Sequence, residues 1–158
     1  MNFTKQISKE QAYQKIKHFC AYQERTHKQV KEKLYSFGLR KTNVESLLSQ
    51  LIEENILNEE RFANAFVRGK FKMNKWGRVK IKYQLQQKQV SVYNIKNALQ
   101  QIDDAEYFSL LQKLAFAQWQ KLKNEQHIIR NAKTQQYLLQ KGFEPMLIST
   151  AIKNIRAK

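Results

Sequence analysis

One apolar pattern occurs three times in this chain, and it limits the fold more than any single motif does. Leu34, Leu39, Val44, Leu48 and Leu51 form the first copy. Leu85, Val90, Ile95, Leu99 and Ile102 form the second, and Leu138, Phe143, Ile148, Ile152 and Ile155 the third. Within each copy the steps are 5, 5, 4 and 3 residues, and the copies are offset by 51 and then 53. The position before the fourth apolar residue also corresponds, as Leu47, Ala98 and Ala151. A gapless repeat at a period near fifty is the mark of stacked supersecondary units, each too small to bury its own apolar face completely.

The units are expected to be helical. One proline and four glycines in 158 residues leave few points at which a helix must break. No stretch sustains the period-two alternation of a half-buried strand. The predicted fold is therefore all-α: three tandem three-helix, helix-turn-helix-like repeats forming an elongated, curved modular domain. Its repeats span 1–57, 58–102 (strongly basic) and 103–158.

Start and stop signals place the helices. Ser8 with Gln11, Thr26 with Gln29, and Thr42 with Glu45 have the spacing at which a hydroxyl and a side-chain carbonyl satisfy orphan amides reciprocally. Asn58, Ser91 and Asp103 are further caps, and Pro145 suits a first turn. Gly38 and Gly142 stand four residues after Leu34 and Leu138, where a left-handed residue ends a helix. Gln89 occupies the same position in the middle repeat, at a cost of about 1 kcal/mol if the geometry is kept. The predicted helices are 8–22, 27–37, 43–55, 59–73, 78–88, 92–102, 104–123, 127–141 and 145–156. Short joints imply modules that dock through partial contacts, with damage to one module staying partly local.

Charge is the main functional signal. The net charge is +16, and from Arg61 through Ile102 there are ten basic residues and no Asp or Glu. Cations this dense repel one another unless a polyanion is near, whereas an ordinary soluble surface intersperses both signs. The candidate contacts for DNA or a protein filament are Arg61, Arg68, Lys70, Lys72, Lys75, Trp76, Arg78, Lys80 and Lys82. Arg61 and Arg68 are read as leaving their helix away from its apolar stripe with no acidic partner nearby. Trp76-Gly77 is either a wedge between helices or an aromatic platform among cations, of the kind single-stranded nucleic acid uses. Arg78 and Lys82 flank a buried stripe on a helix that follows a tight turn, a placement suited to phosphates or an acidic groove. Arg68, Lys72 and Arg78 are expected at the surface. Phe62, Phe66, Val67, Ile81 and Leu85 read as core.

Between Cys20 and Ile102 the chain resembles a known family. Gln23-Glu24-Arg25-Thr26, Lys33-Leu34 and Phe37-Gly38-Leu39 lead, followed by Asn58-Glu59-Glu60-Arg61-Phe62-Ala63 and Ala65-Phe66-Val67-Arg68. Lys75-Trp76-Gly77-Arg78, Ile81, Leu85, Lys88, Ile95 and Ala98-Leu99 complete the series. In this order they resemble the bacterial RecX family of recombination regulatory proteins. Gln89 departs from the glycine usual there, and Asn58-Glu59 from the usual acidic pair; the third repeat matches by periodicity alone. The resemblance implies three three-helix units that bind the RecA recombinase filament, limit its strand exchange and ATP turnover, and carry no catalytic site.

The remaining expectations are exclusions. No G-x-x-x-x-G-K-[ST] phosphate loop is present, and His18, His27 and His127 lack metal-site spacing, so neither an enzyme nor a cofactor or metal is expected. Cys20 is the only cysteine, which rules out an internal disulfide; one turn after Ile16, it reads as a small buried residue. Met1 to Glu10 lacks an apolar leader core, and no run approaches the ~20 apolar residues of a membrane span. A cytoplasmic monomer is expected, with the RecA filament and single- and double-stranded DNA, bound without sequence preference, as partners. The alternative is a helix-turn-helix-like transcriptional regulator, which would read bases from one recognition helix, normally as a dimer; a helical adaptor whose charge serves solubility is a third reading.

Overall fold

A computed structural model describes residues 7–157; Met1–Gln6, part of the stretch read for a leader, and Lys158 lie outside it. Among the described residues there are nine α-helices and no strand. They are α1 (Lys9–Tyr22), α2 (His27–Ser36), α3 (Lys41–Glu53), α4 (Glu59–Lys72), α5 (Arg78–Gln87), α6 (Val92–Leu99), α7 (Asp104–Lys121), α8 (His127–Lys141) and α9 (Pro145–Arg156). Packing follows chain order: α1 to α3 associate with one another, α4 to α6 do the same, and so do α7 to α9.

Local chemistry sets the boundaries. Ser8 with Gln11 and Thr26 with Gln29 form complete capping boxes on α1 and α2. Asn58, Ser91 and Asp103 each accept the N3 amide of α4, α6 and α7. The third expected box does not form. α3 starts at Lys41 behind Arg40, which makes no side-chain cap, so Thr42 already lies inside the first turn. At the stops, Gly38 and Gly142 hold φ of 83° and 98°, and Gln89 takes 60°. The middle repeat thus keeps the left-handed terminator although its residue carries a Cβ.

The repeat pattern is the core pattern. Leu34, Val44, Leu51, Leu85, Ile95, Leu138, Phe143, Ile148 and Ile152 are all buried, as are Leu47, Ala98 and Ala151. The core nevertheless divides in two, not three. Ala12 through Leu57 form one cluster, while Phe62 through Ile152 form a single continuous cluster across the second and third helix triplets. Phe71 of α4 stacks on Tyr107 of α7, and Tyr107 lies against Phe143, with centroids 6.0 Å and 5.3 Å apart. The expectation that each module contains its own damage is therefore corrected for the last two, which share one interior.

Two polar joints complete the frame. Arg61 Nε donates to Glu24 at 2.5 Å, and its terminal nitrogens donate to the Asn55 and Ile56 carbonyls, fastening α4 to the first triplet. At the other joint, the backbones of Gly77 and Gly142 touch. The Gly77 amide donates to the Lys141 carbonyl at 2.7 Å, and the Val79 amide to the Gly142 carbonyl at 2.9 Å. A Cβ at Gly77 would stand 2.3 Å from the Gly142 oxygen, so only glycine permits this approach. The chain exposes 10511 Å², about a quarter above the roughly 8,300 Å² of a compact 18.9 kDa monomer.

Candidate nucleic-acid interface

The nine residues singled out by charge separate into four places. Arg61 faces inward to Glu24, which corrects the reading that it lacks an acidic partner; the partner comes from the preceding triplet, invisible to local sequence. In the same motif, Glu59 accepts the Ser91 amide and the Asn94 side chain, capping α6 from α4. The Asn58-Glu59-Glu60-Arg61 segment is thus largely architectural.

Arg78 is also committed to the frame. Its guanidinium lies 3.9 Å from the Tyr107 ring centroid and donates to Asp104 at 2.5 Å and Glu144 at 3.3 Å. Its backbone amide donates to the Tyr107 oxygen at 3.0 Å, and the Tyr107 hydroxyl donates to Glu144. Burial, reinforced by that bond to Glu144, pushes the Tyr107 phenol above its usual range. The expected surface position is therefore corrected: Arg78 fastens α5 to α7 and to the start of α9. The anion-binding reading of α5's N-terminus is corrected with it. The Gly77, Arg78 and Val79 amides already donate to Lys141, Tyr107 and Gly142, leaving no open cradle for phosphate.

Lys82, with Arg78, Lys96 and Asp104, borders a cleft of about 510 Å³. Arg68 and Lys72, one turn apart on α4, border a smaller hollow beside Ile102 and Glu106. Both are exposed, as expected.

The fourth place gathers the most charge. Trp76 is half-buried between two ammonium groups, Lys70 at 4.9 Å and Lys80 at 4.4 Å from its ring centroid. Lys70 also stands 5.5 Å from the Phe66 ring, and Lys88 lies 5.8 Å from that ring. The result is a strip alternating cation and aromatic along the outside of α4 and α5: Lys88, Phe66, Lys70, Trp76, Lys80. Lys141 joins from α8, donating to the Asn74 carbonyl at 2.9 Å. Burial, together with the Lys80 and Lys75 ammoniums, holds the Lys141 amine below its usual range. Lys75 is exposed on the connecting turn at φ 58°. Of the two readings of Trp76-Gly77, the glycine forms the close joint that a wedge requires, and the indole lies among cations as a platform would.

Charge counting missed Phe66, Lys88 and Lys141 as strip members. Phe66 reads as core from its spacing, and Lys88 carries no distinguishing neighbour. Lys141 lies outside the acid-free stretch, although the repeat register sets it opposite Lys88, each immediately before its helix terminator. Such a strip can hold phosphates through its ammoniums and stack bases or other flat groups on its rings.

Models of the second and third three-helix domains of RecX match residues 58–99 and 104–152, together more than half the chain. The chain belongs to the RecX family. It is 28% identical over 144 residues to Regulatory protein RecX of Oceanobacillus iheyensis, covering 91% of this chain and 53% of that protein. It is 32% identical over 132 residues to the RecX of a Clostridium botulinum strain, covering 82% and 61%. The chain thus spans about half the length of the first of these relatives. Among solved structures, RecX from Lactobacillus salivarius superposes with a TM-score of 0.87, covering 95% of this chain and 97% of that one; at 24% identity this establishes the fold. A second crystal structure, of regulatory protein RecX, is 27% identical with a TM-score of 0.83, covering 92% and 71%. RecX-family membership accounts for the succession of helix triplets. No helix among the described residues is long and apolar enough to cross a membrane.

Proposed function

We propose that this chain regulates a recombinase: it binds the RecA–DNA filament and restrains its ATP turnover and strand exchange. The relatives are named as regulatory proteins, and the family resemblance supplies RecA as the target. The observation that carries the reading is the strip of Lys70, Trp76 and Lys80 with Phe66, Lys88 and Lys141, in which no carboxylate offsets the crowded ammoniums. A nucleoprotein filament supplies what that strip lacks, phosphates and flat bases within a groove walled by protein.

A base-reading transcription factor fits less well. Such a protein presents the first turn of a recognition helix to the major groove. Here the first turn of α5 is closed by α8, and its arginine is held by Tyr107, Asp104 and Glu144. The chain is proposed to act in the cytoplasm as a monomer, without catalytic chemistry of its own.

The test is ATP hydrolysis by preformed RecA filaments, titrated with this protein. Inhibition at substoichiometric ratios is expected, since one bound molecule acts on the filament around it. Unchanged turnover at stoichiometric excess would refute the proposal.

A further inference from the structure

The first helix triplet carries a surface built like the strip of the second. Phe19 lies under the Arg25 guanidinium at 3.7 Å, and Lys33 stands 5.5 Å from the same ring. Lys33 and Lys15 each lie 5.8 Å from the Phe37 ring. Tyr22, 80% exposed, stands at the edge of this groove of about 640 Å³, whose lining contains no carboxylate. Glu32 borders the adjoining pocket on the far side of Phe19 and Lys33.

The correspondence with the second triplet is positional. At the repeat offset of 51, Lys15 matches Phe66, Phe19 matches Lys70, Arg25 matches Trp76 and Phe37 matches Lys88. The paired contacts match too. Lys15 over Phe37 is 5.8 Å, as is Lys88 over Phe66; Arg25 over Phe19 is 3.7 Å, and Lys70 over Trp76 is 4.9 Å. At all four positions the cation and the aromatic have exchanged places. Two cation–ring pairs thus recur with their identities exchanged, so what the two triplets share at these positions is a surface chemistry.

We propose that the first triplet holds a second binding surface for single-stranded nucleic acid, formed by Lys15, Phe19, Tyr22, Arg25, Lys33 and Phe37. Tyr22 has a free face for a base, and Arg25 is fixed by its Nε bond to the Phe19 carbonyl, leaving its terminal nitrogens directed to phosphate. Lys15 and Lys33 are exposed and supply two further phosphate contacts. An acidic peptide would use the cations but not the exposed ring, so nucleic acid is the occupant favoured.

The test uses the full chain and oligothymidylates, one short and one long enough to span both triplets. Lys15→Gln with Tyr22→Ala and Lys33→Gln alters only exposed positions, and an unchanged thermal midpoint checks the fold. The triple variant should bind the long strand roughly tenfold more weakly, with a log–log salt slope shallower by about 1.4, from ~0.7 per phosphate lost. Adding Lys70→Gln and Lys80→Gln should weaken binding further by an independent factor. The proposal concerns the first triplet alone, so failure of the filament reading leaves it standing. Wild-type affinity and slope in the triple variant would overturn it. So would loss of poly-glutamate binding with oligothymidylate binding intact, which would assign the surface to an acidic protein.

Discussion

Gln89 holds a left-handed backbone at φ 60° where its counterparts Gly38 and Gly142 do so without a Cβ. Relieving that conformation outweighs the extra chain entropy of glycine, so Gln89→Gly should stabilise the fold by roughly 0.5–1 kcal/mol. A higher urea midpoint at unchanged m-value is the expected reading, and a lower midpoint would contradict it. The opposite holds at Gly77, where an added methyl meets the Gly142 carbonyl and not a movable side chain. Gly77→Ala should cost about 3 kcal/mol, at the upper end for overpacking. The Gln89 terminator was legible from the repeat because backbone register is local. The role of Gly77 was not, since the atom it must avoid lies 65 positions away in the sequence. Arg61 and Arg78 were misread for the same reason: their carboxylates come from neighbouring triplets, and a local charge count cannot see them. Cys20 reads correctly from its helix position. It is buried, and desolvation raises its thiol, so it should resist alkylation until the first triplet unfolds.

Helices and their joints were the most readable level, because capping and apolar spacing act within a few residues. What spacing could not give was the partition of the core. With one cluster running from Phe62 to Ile152, Leu138→Ala should cost roughly 2–5 kcal/mol. Its loss of hydrogen-exchange protection should extend from α7–α9 into α4–α6 while sparing α1–α3. Confinement to the third triplet would show that the shared core does not couple the two. Tyr107 gives a second handle on the same joint. Its folded pKa lies above the ordinary value of 10.0, so the stabilisation it provides is fully present below that pH and is lost as pH rises toward the folded value. Tyr107→Phe should therefore be less stable at neutral pH, and the gap to wild type should narrow in strong alkali. Urea midpoints at pH 7 and above pH 10 check this, and a gap that widens with pH would contradict it.

For the molecule as a whole, the acid-free middle stretch pointed to the triplet that carries the cation–aromatic strip, while only the folded chain distinguishes the cations of that strip from those consumed by joints. Five ammoniums remain on or beside the strip: Lys70, Lys75, Lys80, Lys88 and Lys141. If each meets one phosphate, the log–log salt slope for single strands too short to reach the first triplet should be about −3.5, without preference for one sequence. A slope shallower than about −1, or strong selection of one duplex, would return the transcription-factor reading. The most direct test is filament ATP turnover with two matched charge reversals. One carries Lys70→Glu, Lys75→Glu and Lys80→Glu on the strip; the other carries Lys113→Glu, Lys121→Glu and Lys123→Glu, all exposed on or just after α7. Both remove the same net charge, so any difference reports the strip itself. Inhibition should be largely lost in the first variant and retained in the second. Equal loss in both, or full inhibition by the strip variant, would mean that the middle triplet is not the regulatory contact.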